Sequence, residues 1–157
     1  MPADNAGAND AVILERYFDA PVEVIWQMWT NPEHFRAWYG PDAATIPVAK
    51  MDVRVGGARL VCMEMDMPQG PMRMLFAGEY REVVRNQRLV YTEFISNERG
   101  EESQAGDHPT TEVRVEFADV GGRTKLTLTH LGIRQDSPGA SGWTTALDKL
   151  SAHARAA

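Results

Sequence analysis

No run of lysine or arginine occurs in the sequence, and its 16 basic residues are outnumbered by 22 acidic ones, for a net charge of −6. A phosphate backbone or an anionic bilayer demands a basic stripe, so nucleic acid and membrane are poor partners. There is one cysteine, Cys62. That excludes an internal disulfide and is compatible with a reducing, cytoplasmic location. No apolar run approaches the 18 or so residues of a membrane-spanning helix. The first ten residues have neither a basic start nor an apolar stretch, so no signal peptide is expected. The four histidines, His34, His108, His130 and His153, stand at no helical spacing and beside no cysteine ligand, so no metal site and no cofactor are expected. No G-x-S-x-G elbow is present, and Val55-Gly56-Gly57-Ala58 is a turn rather than a phosphate loop.

What is present is an ordinary globular composition: 157 residues, 43% apolar and 24% charged. Length favours one domain over residues 11–157, behind a small, polar tail over 1–10 that is expected to be disordered. Val12 to Asp19 reads as a strand. Val22, Ile25, Trp26 and Trp29 then fall on one helical face, with Pro21 in the first turn and Asp19 or Ala20 as cap. Asn31-Pro32-Glu33 starts a second short helix, which Gly40-Pro41 ends. Strands follow over 45–53, 58–67, 72–84 and 88–95. Pro47 marks the first of them as an edge or bulged strand, and Gly78 suggests a bend or bulge in the third. Residues 97–109 are polar and read as a mobile loop. Two alternating strands come next, with Val113, Val115 and Phe117 on one face of the first and Leu126, Leu128 and His130 on one face of the second. After the breaker pair Pro138-Gly139, a helix from Ser141 to about Arg155 carries Trp143, Ala146, Leu147 and Leu150 as its apolar stripe. The expected class is α+β: a curved antiparallel sheet of six to seven strands around a long terminal helix, with two short helices after the first strand.

Several segments are similar to one family. They are Arg16-Tyr17-Phe18-Asp19-Ala20-Pro21, Trp29-Thr30-Asn31-Pro32-Glu33-His34 and Trp38-Tyr39-Gly40-Pro41, then Asp52 to Gly57, Gly78 to Val83, Arg88 to Thr92, and Gly142-Trp143 with Leu147 to Leu150. In this order they resemble the activator of heat-shock-protein-90 ATPase homologue-like family of the START-like (SRPBCC) superfamily, from about Val12 to Leu150. The resemblance implies the helix-grip fold, with a hydrophobic cavity between sheet and terminal helix. It implies no single chemistry, because superfamily relatives include lipid carriers, hormone receptors, polyketide cyclases and stress-response proteins. The ATPase-activating effect of the eukaryotic co-chaperone needs a further N-terminal domain and is not carried over.

On this basis the leading expectation is a protein that binds a small apolar or lipid-like ligand. Its wall is expected to comprise Trp38, Met63, Phe76, Tyr80, Tyr91, Phe94, His130, Trp143 and Leu147. Met63, Met65, Met67, Met72 and Met74 crowd one hairpin, and flexible thioethers suit a pocket that accepts varied shapes. A rival reading is an enzyme of cyclase, isomerase or hydrolase type, with His130 and either Glu93 or Tyr80 as acid and base. Glu82 is a further buried-acid candidate if alternation holds through Gly78. A third reading is a module that binds a protein partner such as a chaperone. A homodimer through a sheet edge or the methionine hairpin is compatible with all three. Cys62, within Leu60-Val61-Cys62-Met63, reads as a small buried hydrophobe rather than a reactive thiol.

Overall fold

The computed structural model describes residues 10–96 and 110–156. The expected tail over 1–10, apart from Asp10, and the expected loop over 97–109, with His108, lie outside the described residues. The chain runs β1 (Ala11–Phe18), α1 (Val22–Thr30), α2 (Pro32–Trp38), β2 (Thr45–Met51), β3 (Ala58–Met67), β4 (Gly70–Val84), β5 (Arg88–Ser96), β6 (Thr111–Val120), β7 (Arg123–Leu131) and α3 (Pro138–Ala156). The seven strands form one sheet in the order β1-β7-β6-β5-β4-β3-β2, every neighbouring pair antiparallel. From β2 to β7 successive strands are neighbours, as hairpin connections dictate. Only β1 departs, pairing with β7 at the far edge. This is the α+β helix-grip fold expected from the sequence.

The inward face of the sheet is an apolar layer closed by the helices. Val113, Val115 and Phe117 of β6 and Leu126 and Leu128 of β7 are buried there, as their alternation requires. Trp143, Ala146, Leu147, Leu150 and Ala154 of α3 meet Ile25, Trp26, Met28 and Trp29 of α1 and Phe35 and Trp38 of α2 in the same core. Polar ties hold α3 in place. Arg16 Nη1 of β1 pairs with Asp148 at 2.7 Å, and Lys149 Nζ donates to the Pro41 carbonyl at 2.9 Å. His34 Nδ1 and His153 Nε2 lie 3.1 Å apart between α2 and α3.

Several local expectations need correction. The α1 N-cap is Pro21, with no side-chain cap, not Asp19 or Ala20; its φ of −64° sits in extended backbone. By contrast, Asn31 caps α2 as expected, its side chain accepting from the Glu33 N–H at 3.0 Å. Pro138-Gly139 opens α3 rather than preceding it. Ser137 Oγ accepts from the Ala140 N–H at 3.3 Å, and a proline in the first turn costs no hydrogen bond. The strand β2 ends at Met51, two residues early, while its edge position and its register shift between Thr45 and Val48 follow from Pro47.

In β4 the register shift lies between Tyr80 and Glu82, not at Gly78. The extra residue, Arg81, turns Glu82 outward, where it is exposed and pairs with Arg88 at 2.7 Å. Glu82 is therefore not a buried acid. Gly78 serves a different need: a Cβ there would collide with the Thr92 carbonyl oxygen.

Candidate functional site

Cross-strand partners share a face of the sheet, so the inward phase of β3, β4 and β5 can be followed residue by residue. On β3 it runs Arg59, Val61, Met63; on β4, Gly78 and Tyr80; on β5, Leu89, Tyr91, Glu93. Arg59 thus enters the interior from a strand otherwise apolar on that side. Its cross-strand partner is Gly78, which offers no side chain to compete for the space.

Arg59 is 1% exposed, Tyr80 and Tyr91 are 1% exposed, and Glu93 is 7% exposed. The guanidinium carbon lies 4.0 Å from the centroid of the Tyr91 ring and 5.1 Å from that of Phe35. Its Nη1 donates to Glu93 Oε2 at 3.3 Å. Its Nε and Nη2, together with the hydroxyls of Tyr80 and Tyr91, make no hydrogen bond of good geometry, although the guanidinium stands close enough to the Tyr80 hydroxyl to lower its pKa. Buried polar atoms are nearly always paired, so four atoms lacking a well-formed bond in one cluster call for an explanation. Burial raises the pKa of the Tyr80 and Tyr91 phenols above the usual range, against the opposing pull of Arg59. Tyr39 is raised further by burial, with Glu93 and Tyr91 adding to it. All three phenols stay protonated near neutral pH and present O–H donors.

Beside this cluster runs a directed hydrogen-bond chain. Trp143 Nε1 donates to His130 Nδ1 at 2.9 Å. Indole only donates, so Nδ1 is the acceptor and the neutral ring carries its proton on Nε2. That nitrogen lies 2.8 Å from Thr111 Oγ1, whose hydroxyl donates to the Glu93 carbonyl oxygen at 3.2 Å. Burial lowers the His130 pKa, with Glu93 pulling it up and Arg59 pushing it further down. Both ring nitrogens of His130 are therefore engaged by the fold, and neither bonds to the side chain of Glu93 or Tyr80. A general base needs a free lone pair aimed at its substrate, and the lone pair of His130 faces Trp143.

The structure brings most of the expected wall residues together. Tyr80 and Tyr91 meet edge to face at 5.9 Å. Tyr39 stacks on Phe35 at 4.6 Å and reaches Phe76, Trp38 and Trp143 at 6.5, 6.0 and 5.9 Å. Trp143 contacts His130 at 6.0 Å and stacks on Trp29 at 5.8 Å. Met63 and Leu147 belong to the same core, and Met65 and Met74 pack against it. Phe94 does not join them. It is one residue out of phase with Tyr91 and Glu93 and stands on the outer face opposite Ala77, so its place in the wall is corrected by strand alternation. Cys62 is buried on that outer face, opposite Leu75.

Arg59 and Tyr39 were absent from the sequence-based set. The signal for Arg59 was its phase, two residues before Val61 and four before Met63. Tyr39 stands within the Trp38-Tyr39-Gly40 helix end and carries no periodicity of its own.

Elsewhere, an open depression of about 360 Å³ lies between α2 and β2, lined by Glu33, Arg36, Ala44, Ile46 and Pro47 among others. None of the expected wall residues borders it. No cluster of three or more His, Cys, Asp or Glu suited to a metal ion occurs among the described residues, and none of their helices is long and apolar enough to cross a membrane.

A family model described as Activator of Hsp90 ATPase homolog 1-like protein matches residues 19–155. Solved structures with the same fold include a protein from Staphylococcus epidermidis, with TM-score 0.79 and 21% identity, covering 97% of this chain and 93% of the other. A protein from Nitrosomonas europaea superposes with TM-score 0.77 at 21% identity, covering 99% and 97%. The AHSA1 protein from Silicibacter pomeroyi does so with TM-score 0.75 at 20% identity, covering 93% and 98%. At these identities the likeness carries the fold alone. No curated protein matches the chain.

Proposed function

The chain belongs to the Activator of Hsp90 ATPase homolog 1-like family, and from that premise we propose that it binds a small, largely apolar molecule between the sheet and α3. One observation carries the reading: the buried hydroxyls of Tyr80 and Tyr91 donate to no acceptor in the interior. A core built only for packing has no use for them, since phenylalanine fills the same volume without an orphaned polar atom. Around them, Tyr39, Phe76, Met63 and Trp143 supply the apolar and aromatic surface that such sites use to bury a ligand's body. Thioethers at Met63, Met65 and Met74 give that surface adjustable shape.

The test is native mass spectrometry on protein purified gently from its host, followed by extraction and identification of any retained compound. A reproducible added mass of one compound class, displaced by the neutral dye N-phenylnaphthylamine, is the expected result. Protein that carries no compound and shows no saturable uptake of the dye would refute the proposal.

A further inference from the structure

Building on that ligand-binding reading, we propose that Arg59, Tyr80 and Tyr91 form a recognition site for an uncharged carbonyl oxygen (ketone, ester or amide) on the bound molecule. The argument is one of donors and charge. Arginine has five N–H donors and no acceptor. Here Nη1 serves Glu93, while Nε and Nη2 make no hydrogen bond of good geometry. The two tyrosine hydroxyls beside them likewise donate to no acceptor. A phenol oxygen can accept as well as donate, and the guanidinium bears on the Tyr80 hydroxyl in this way. Even with an N–H turned to each phenol oxygen, one N–H and both O–H groups lack an acceptor, and a carbonyl oxygen can take more than one of them.

Charge then decides which kind of acceptor. The ion pair with Glu93 already balances Arg59, in a site where both side chains are almost wholly buried. A carboxylate or phosphate would bring a second negative charge into that low-dielectric volume with nothing to neutralise it. An ammonium group would meet the guanidinium. An alkane would leave these donors unsatisfied. A neutral carbonyl satisfies the donors and leaves the charge balance as it stands. The rings of Phe35 and Tyr39 flank the cluster and provide apolar surface for the carbon skeleton on either side of the carbonyl.

Displacement of N-phenylnaphthylamine by three probes of equal chain length tests this: undecane, methyl nonyl ketone and undecanoate. A hydrogen bond from a charged donor is worth about tenfold or more in affinity, so the ketone should displace the dye at least about tenfold more effectively than undecane. Undecanoate should be weaker than the ketone. The variants Tyr80→Phe and Tyr91→Phe delete hydroxyls that donate to no acceptor in the folded protein, so both should fold, as thermal melts would show. Each should shrink the ketone-to-undecane ratio several-fold. Equal binding of ketone and undecane, or a ratio unmoved in both Phe variants, would show that water meets these donors and overturn the proposal. Tighter binding of undecanoate would overturn it in favour of an anion site. In each of those cases the ligand-binding reading stands. If neither the dye nor any probe binds, that reading falls and the carbonyl site falls with it.

Discussion

The guanidinium carbon of Arg59 lies over the ring of Tyr91, 4.0 Å from its centroid, and both side chains are sealed from solvent. A cation on an aromatic face is worth about 2 kcal/mol once desolvated. That contact, the second ring at Phe35 and the Glu93 carboxylate together hold a full charge inside an apolar core. None of the three suffices alone, because burying an ion costs several kcal/mol.

Removing Arg59 by substitution to Met is therefore expected to destabilise the protein by about 3–5 kcal/mol, because it strands the Glu93 carboxylate. The double variant Arg59→Met with Glu93→Leu should recover most of that loss. Urea denaturation with unchanged m-values checks both. A double variant as unstable as the single one would show that the pair does more than balance its own charges.

Acidification should weaken the fold through His130 and His153. Burial lowers both imidazole pKa values below the ordinary 6.5, and for His153 the neighbouring His34 adds to the effect. The unfolded chain then binds protons first as pH falls. Stability is complete above about pH 6.5, declines as pH drops below it, and levels off beneath the folded-state values. His130 should dominate, since His153 is partly exposed. Melting curves across pH 4–8 for wild type and His130→Asn measure the slope, which the variant should flatten.

Substituting Trp143 by Phe removes the donor that occupies His130 Nδ1. The freed nitrogen can then take a proton without facing an N–H. The His130 pKa should rise toward its ordinary value, read from its ring resonances by NMR. An unmoved pKa would mean that burial and the charges of Glu93 and Arg59 set it without Trp143.

Gly78→Ala places a methyl group against the Thr92 carbonyl oxygen, a backbone atom that cannot swing aside. A loss of about 3 kcal/mol, at the upper end of ordinary substitutions, is expected in thermal or urea unfolding. Loss of the Thr92 hydroxyl contact to the Glu79 N–H, 3.1 Å in the wild type, should accompany it.

Much of this architecture was legible from periodicity. Val113 to Phe117 and Leu126 to His130 betray their inward face because every second residue is apolar, and Trp26 and Trp29 betray a helix because their spacing fits one. Features created by pairing were not legible. The bulge at Arg81 is decided by how β4 meets β5, so the outward turn of Glu82 has no local signature. Phe94 was misplaced because aromatic character outweighed the strict two-residue period that Tyr91 and Glu93 define. Arg59 follows that period but is charged, and an arginine beside a turn reads as a surface residue. Gly78 opposite it, Glu93 beyond β4 on the same face, and the rings of Tyr91 and Phe35 explain its burial. The engagement of His130 by Trp143 and Thr111 likewise joins residues 13 and 19 positions away and has no sequence motif.

The pairing of β1 with β7 has a consequence in time. Ala11 meets Leu131 and Phe18 meets Thr124, so the first strand cannot find its partner until more than a hundred later residues have been made. The hairpins from β2 to β5 need no such wait. During synthesis β1, with Ile13 and Tyr17 on its surface, must remain unpaired while most of the sheet assembles beside it. Closure of this longest loop carries the largest entropy cost of any pairing in the sheet, so the β1–β7 seam is expected to form after the hairpins.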